Sequence, residues 1–126
     1  MTNTNDTTKE KDPKETKAFQ RLKKKLTIDL LWIWTLKLLK ERPKYAYELR
    51  SEFKERFGFN PATVTYYAVL YMLEKEGIVK KVVIADNTER IDRKYYAITD
   101  FGYKLLEEAK IFLKSTYEKI FAEEEK

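Results

Sequence analysis

Between Pro61 and Leu73 the chain carries Thr63, Thr65, Tyr66, Tyr67 and Tyr71 and not one charged side chain. So many hydroxyls invite a search for the bases that would activate them. The 126 residues contain no histidine and no cysteine, which removes the commonest general base, the thiol nucleophile and the thiolate or imidazole metal ligands. The three glycines form no phosphate-binding loop, and acids such as Glu107 and Glu108 read as a solvated helix face. Catalysis, a metal centre and a cofactor are therefore not expected. What remains is recognition: hydroxyls exchange hydrogen bonds with phosphate oxygens and base edges, and threonine methyls and tyrosine rings make apolar contacts.

The net charge is +5, and residues 1–25 hold eight Lys or Arg against four acids, which places +4 of it on the leading segment. The polar start, MTNTNDTTKEKDPKETK, lacks the apolar stretch of a secretory signal. The most apolar run, 26–39, is shorter than the ~20 residues of a membrane span and contains Asp29 and Lys37. No membrane partner and a cytoplasmic, nucleoid-associated protein are the expectation.

The hydroxyl-rich stretch needs elements to hold it. Residues 1–16 read as a disordered polar, basic arm. From Lys17, Phe19, Leu22 and Leu26 recur at helical spacing on a face otherwise basic. LTIDLLWIWTLKLL (26–39) has ten apolar residues in fourteen, apolar all round a helix, so part of it, including Trp32 or Trp34, is expected against a second subunit. Pro43 stops that helix. A further helix over about 45–57 turns Leu49, Phe53 and Phe57 inward and Arg50, Lys54 and Arg56 outward, with Gly58 closing it. Asn60 then reads as an N-cap and Pro61 as the first helical residue, beginning a helix that runs to about Glu76. After Gly77 the period changes to two: IVKKVVIA, a DNTE turn and RIDRKYYAIT predict a β-hairpin. Asp100 reads as the cap of a last helix to about Ala122, with Leu106, Ala109, Leu113, Tyr117 and Ile120 in a coiled-coil-like rhythm.

Three helices followed by a hairpin, with a short glycine-containing turn before the third, is the plan of a winged helix-turn-helix. There the third helix enters the major groove and the hairpin reaches the flanking backbone. The expected fold is mainly α with a two-stranded β-wing, divided as arm 1–16, DNA-binding domain 17–99 and C-terminal dimerisation helix 100–126.

AYEL (46–49), TYYAVLYMLEKEGIV (65–79) and RKYYAITDFGYKLLEE (93–108) resemble, in this order, three signature blocks of PadR-family transcriptional regulators. The resemblance covers roughly residues 27–122. It implies a homodimeric repressor whose wing is followed by a dimerisation helix, and it aligns Tyr67 with the family's helix-three tyrosine. The family's His-Gly before helix two is Tyr45-Ala46 here, its Tyr-Pro pair is Tyr67-Ala68, and the basic residues after the next leucine are Tyr71 and Met72.

On the third helix Tyr66, Leu70 and Leu73 are expected in the core. Asn60, Thr63, Thr65, Tyr67, Ala68, Tyr71 and Lys75 are expected to read double-stranded DNA, favouring A·T-containing sites because no arginine is there to pair with guanine. Phosphate contacts are assigned to Asn87, Thr88, Arg90, Arg93 and Lys94 of the wing, to Arg50, Lys54 and Arg56 of helix two, and to Lys23, Lys24 and Lys25 of the arm. Trp32, Trp34, Leu106, Leu113, Tyr117 and Ile120 are expected at a homodimer interface, where a small planar effector would find an aromatic lining. The alternative is a protein-interaction module that docks a partner through the apolar face of the third helix.

Overall fold

The computed structural model describes residues 10–84 and 94–123. The chain divides into two compact units, Met1–Leu30 and Leu31–Lys126.

In the first unit a 3-10 turn, Pro13–Glu15, is capped by Asp12, whose carboxylate accepts from the Lys14 amide at 3.0 Å. Thr16 caps α1 (Lys17–Leu26) by accepting from the Phe19 amide at 3.1 Å. The arm expected to be without structure up to residue 16 is thus organised from Asp12 onward. The expected helix over 26–39 is also divided. Thr27 leaves helical geometry, and its hydroxyl donates to the Lys23 carbonyl at 2.6 Å, the local bond by which threonine competes with helix propagation.

The second unit begins with α2 (Leu31–Leu39). Leu31, Thr35, Leu36, Leu38 and Leu39 are all buried, and the Thr35 hydroxyl is satisfied by the Leu31 carbonyl at 2.9 Å. Much of the apolar girdle that was expected to require a second subunit is therefore covered by the chain's own core. After Pro43 come β1 (Lys44–Tyr45) and α3 (Ala46–Glu52), continued as a π-turn over Phe53–Phe57 that ends on Gly58 at φ 78°. Helix α4 (Thr63–Lys75) leads into β2 (Val79–Val82), β3 (Tyr95–Ile98) and α5 (Asp100–Phe121).

The hairpin strands pair antiparallel, with Val79 opposite Ile98 and Val82 opposite Tyr95. A third strand joins them: β1 pairs with the outer side of β3, Lys44 opposite Tyr96, giving the order β1-β3-β2. Two residues are too few for an alternating pattern to be read, so this strand was not expected. The core joins Leu36, Leu38 and Leu39 of α2, Leu49 and Phe53 of α3 and its continuation, Tyr66, Leu70 and Leu73 of α4, and Ile78, Val79 and Ile98 of the sheet.

Two helix starts differ from expectation. Helix α4 begins at Thr63 and not at Pro61, because Pro61 is itself buried and its carbonyl accepts from Arg50 Nε at 3.4 Å. Helix α5 is capped by Thr99 and not by Asp100. The Thr99 hydroxyl accepts from the Gly102 amide at 3.0 Å and donates to the Gly77 carbonyl at 2.7 Å, which ties the last helix to the end of α4. Gly102 is needed there, since a Cβ would run into the Ile78 carbonyl and lie 2.7 Å from Ile98 Cγ1.

Lys44 is 2% exposed. Its ammonium meets Glu41 Oε1 at 2.7 Å and Glu52 Oε1 at 2.9 Å, and Arg56 meets the same two carboxylates at 2.8 Å each. Two cations and two anions close a neutral cluster joining the end of α2, β1, α3 and the π-turn. Hydrogen bonds from Arg56 and then Lys44 pull the Glu41 carboxyl down to about 2. At Glu52 burial opposes ionisation, but the bonds from Lys44 and Arg56 outweigh it and the net shift is downward. Lys44 is the buried member of this cluster and its loss takes a partner from the largely buried Glu52, so Lys44→Ala is expected to lower unfolding free energy by about 2 kcal/mol. A carboxylate depressed in the folded state stabilises above its unfolded pKa and loses that contribution as pH falls through the folded one. The melting temperature should therefore drop between about pH 4.5 and 2, and Arg56→Gln should flatten that slope in a thermal-melt series.

Candidate nucleic-acid interface

The rotation of α4 decides what it can offer a partner. Tyr66, Leu70 and Leu73 are buried, and at 100° per residue the opposite ridge is Val64, Ala68, Tyr71 and Lys75. All four are exposed, Val64 at 82%. Tyr67 lies on the flank towards the sheet, sharing a depression with Lys81, Lys94 and Tyr96. Thr65 and Met72 lie on the other flank, where with Trp32, Val64, Ala68 and Leu105 they line an open apolar cavity of about 630 Å³. Thr63, Tyr67, Ala68, Tyr71, Met72 and Lys75, expected on the surface, are all exposed. Val64 was not among the expected contacts, although its helical phase points the same way. Asn60 is exposed but precedes the helix.

The N-cap of α4 is Ala62, which has no side chain able to accept a hydrogen bond. The first-turn amides of Val64 and Thr65 thus receive no side-chain cap. At the other end Lys75 Nζ lies 5.9 Å from the centre of the Tyr71 ring. No charge sits on the ridge before Lys75, so cations must come from neighbouring elements.

Those neighbours are partly committed. Arg56, assigned to phosphate from the sequence, is paired here with Glu41 and Glu52. Arg50 is half-buried and tethers the turn before α4 through the Pro61 carbonyl. Lys54 and Lys94 are exposed. In the first unit Lys24 and Lys25 lie 3.0 and 3.5 Å from Asp29, exposed pairs of small net worth that a phosphate can displace, and Lys23 is exposed. Asn87, Thr88, Arg90 and Arg93 lie outside the described residues.

The two tryptophans have different surroundings. The Trp34 ring packs on Phe57 and Phe59, with centroids 4.8 and 5.3 Å away, whereas Trp32 borders the apolar cavity. Leu106 is half-buried against the core. Leu113, Tyr117 and Ile120 are exposed along α5, as is Phe112 at 70%. In the whole of that 22-residue helix only Gly102 is buried.

This geometry is matched among known proteins. A model of the transcriptional regulator PadR-like family fits residues 35–108. The chain belongs to the PadR-like family. An uncharacterised protein of Lysinibacillus sphaericus is 35% identical over 75 residues, covering 58% of this chain and 68% of the relative. A PadR-family transcription regulator of Clostridium difficile is 25% identical, with a TM-score of 0.61 over 73% of this chain and 98% of that one. A PadR-like transcriptional regulator of Bacillus cereus is 26% identical, with a TM-score of 0.60 over 83% and 99%. As a PadR-like protein the chain is a DNA-binding transcriptional regulator of winged-helix fold, not an enzyme. Among the described residues no helix is long and apolar enough to cross a membrane.

Behind the ridge, the Tyr66 hydroxyl is buried without a hydrogen-bond partner, and burial, then the nearby Tyr67 and Tyr96, push its pKa far up. A buried hydroxyl that makes no bond costs stability. Tyr66→Phe is expected to raise unfolding free energy by about 1 kcal/mol, measured by denaturant titration. A loss of stability would show that the hydroxyl has a partner in solution.

Proposed function

We propose that the protein is a homodimeric repressor that reads an inverted-repeat operator with the α4 ridge. The observation carrying this reading is the exposed, uncharged face of Val64, Ala68 and Tyr71 behind an uncapped helix start, flanked by lysines of the sheet. The free amides suit a phosphate, and the ridge presents methyl groups and a phenol of the kind that meet thymine methyls and base edges. Thr63, Thr65, Tyr67 and Lys75 complete the reading surface. Lys54, Lys94 and the lysines of α1, with Asn87, Thr88, Arg90 and Arg93, supply the phosphate contacts that fix register and carry no base information.

Helix α5 supports dimerisation. At ~1.5 Å per residue its 22 residues run about 33 Å, and beyond Leu106 the side chains of Ile111, Phe112, Tyr117, Ile120 and Phe121 remain more than half exposed and Leu113 is 39% exposed. Of the apolar side chains of α5, Leu106, Ala109, Leu113, Tyr117 and Ile120 fall on one face at 3-4 spacing, the stripe that a second copy covers in a coiled coil. The twofold axis then sets two α4 helices into successive major grooves about 34 to 36 Å apart. A planar effector at that interface would lie against Trp32, since Trp34 is engaged by Phe57 and Phe59. The apolar cavity beside Val64 and Met72 also supports a second reading, in which this face docks a partner protein.

Selection of bound fragments from random duplexes should return an inverted repeat with A·T-rich half-sites. A guanine-rich core contradicts apolar reading by α4, and no enrichment over bulk DNA favours the protein-docking alternative. Val64→Asp, on a residue 82% exposed, should leave the melting temperature unchanged within a degree or two while weakening operator binding at least tenfold, because it places a carboxylate against the phosphate-lined groove.

A further inference from the structure

A depression of about 440 Å³ lies where the start of α3, the middle of α4 and the two hairpin strands meet, and its wall includes Tyr45, Tyr47, Tyr67, Tyr96, Lys81 and Lys94. Only Tyr67 and Lys94 among these were singled out by the sequence. Among the described residues no carboxylate lines it. Glu74 meets Lys81 Nζ at 3.5 Å with both side chains exposed, a pair weak enough to exchange for another anion. Tyr47 stands at the rim, 71% exposed. Tyr96 is half-buried, and burial first, then Glu74 and Tyr67, keep its phenol protonated and able to donate despite the Lys81 ammonium. The buried, unpartnered hydroxyl of Tyr66 has Tyr67 and Tyr96 among its polar neighbours, so three phenols crowd together behind a surface that holds two cations.

A hollow of phenolic donors and ammonium groups, with no charged acceptor among the described residues that line it, suits a compact anion with several oxygens. Its position narrows the choice. It adjoins α4 on the Tyr67 flank, and a helix lying in a major groove has a phosphate strand along each flank. We propose that this notch seats one backbone phosphodiester of the bound duplex, with the hydroxyls of Tyr47, Tyr67 and Tyr96 donating to its oxygens and Lys81 and Lys94 balancing its charge. The inference rests on the reading of α4 as the groove-facing helix and adds a fixed anchor: the sheet and helix α3 hold the same phosphate, so the angle of α4 in the groove is set from outside the helix. It also accounts for how a helix with no cation before Lys75 keeps its register.

The test is a walk of single neutral methylphosphonate linkages through an operator recovered by selection, read as affinity of the full-length protein and of the Tyr47→Phe and Lys81→Gln/Lys94→Gln variants. The wild type should lose about tenfold at one linkage per half-site, beside the base pairs that α4 reads. The lysine variant should bind native operator about tenfold more weakly and lose little more at that linkage, while losing as much as the wild type at every other. Tyr47→Phe should show the same pattern with a smaller loss. Substitution and linkage penalties that multiply independently at all positions overturn the seat and leave the reading of α4 standing. Failure of the wild-type protein to bind any duplex overturns both.

Discussion

The rotation of α4 about its own axis is the constraint on which the interface depends. Tyr66, Leu70 and Leu73 must enter the core, where the Phe53 ring meets Tyr66 edge-on at 5.6 Å. Once they do, Val64, Ala68, Tyr71 and Lys75 have no direction left but outward. A one-residue change of phase would turn each outward position by about 100° and bring Tyr67 to the core in place of Tyr66. The recognition surface is thus the complement of the packing surface, and a side chain of α4 cannot be moved between the two without loss of either burial or contact.

What surrounds α4 serves to hold that orientation. Arg50 reaches the Pro61 carbonyl and fixes the turn ahead of the helix. Thr99 clasps the Gly77 carbonyl behind it, and Gly102 lets α5 approach Ile78 closely. The Lys44 cluster secures the third strand, and through the pairing of Lys44 with Tyr96 it secures one wall of the notch beside Tyr67. Ion pairs of this kind add little net stability compared with an apolar core, but they tolerate few alternative arrangements. Here that geometric selectivity falls on the junction between sheet and helices.

Much of the plan was legible in the chain. The change of period after Gly77, the glycines at 58 and 77, and the spacing of Leu49, Phe53, Tyr66, Leu70 and Leu73 are local signals, and they located the helices, the hairpin and the core residues. The failures also have physical reasons. Asn60-Pro61 carries a strong helix-start signal, but the buried Pro61 ring and the Arg50 bond delay the helix by two residues. Thr99 outcompetes the adjacent Asp100 as a cap because its hydroxyl also finds the Gly77 carbonyl in the turn after α4, far along the chain, which no local pattern reveals. A lysine is almost never fully buried unless paired, and Lys44 owes its burial to partners three and eight residues away. The tyrosines and lysines of the notch come from four separate stretches of chain, so their meeting is a property of the fold alone.

The central claim is that two copies of this domain lay α4 ridges into successive major grooves of one duplex face. Hydroxyl-radical footprinting of the full-length protein on its selected operator tests it most directly. The account predicts two protected patches on one face of the duplex, centred about one helical turn, 10 to 10.5 base pairs, apart. A single continuous protection, or protected patches on opposite faces, would contradict it.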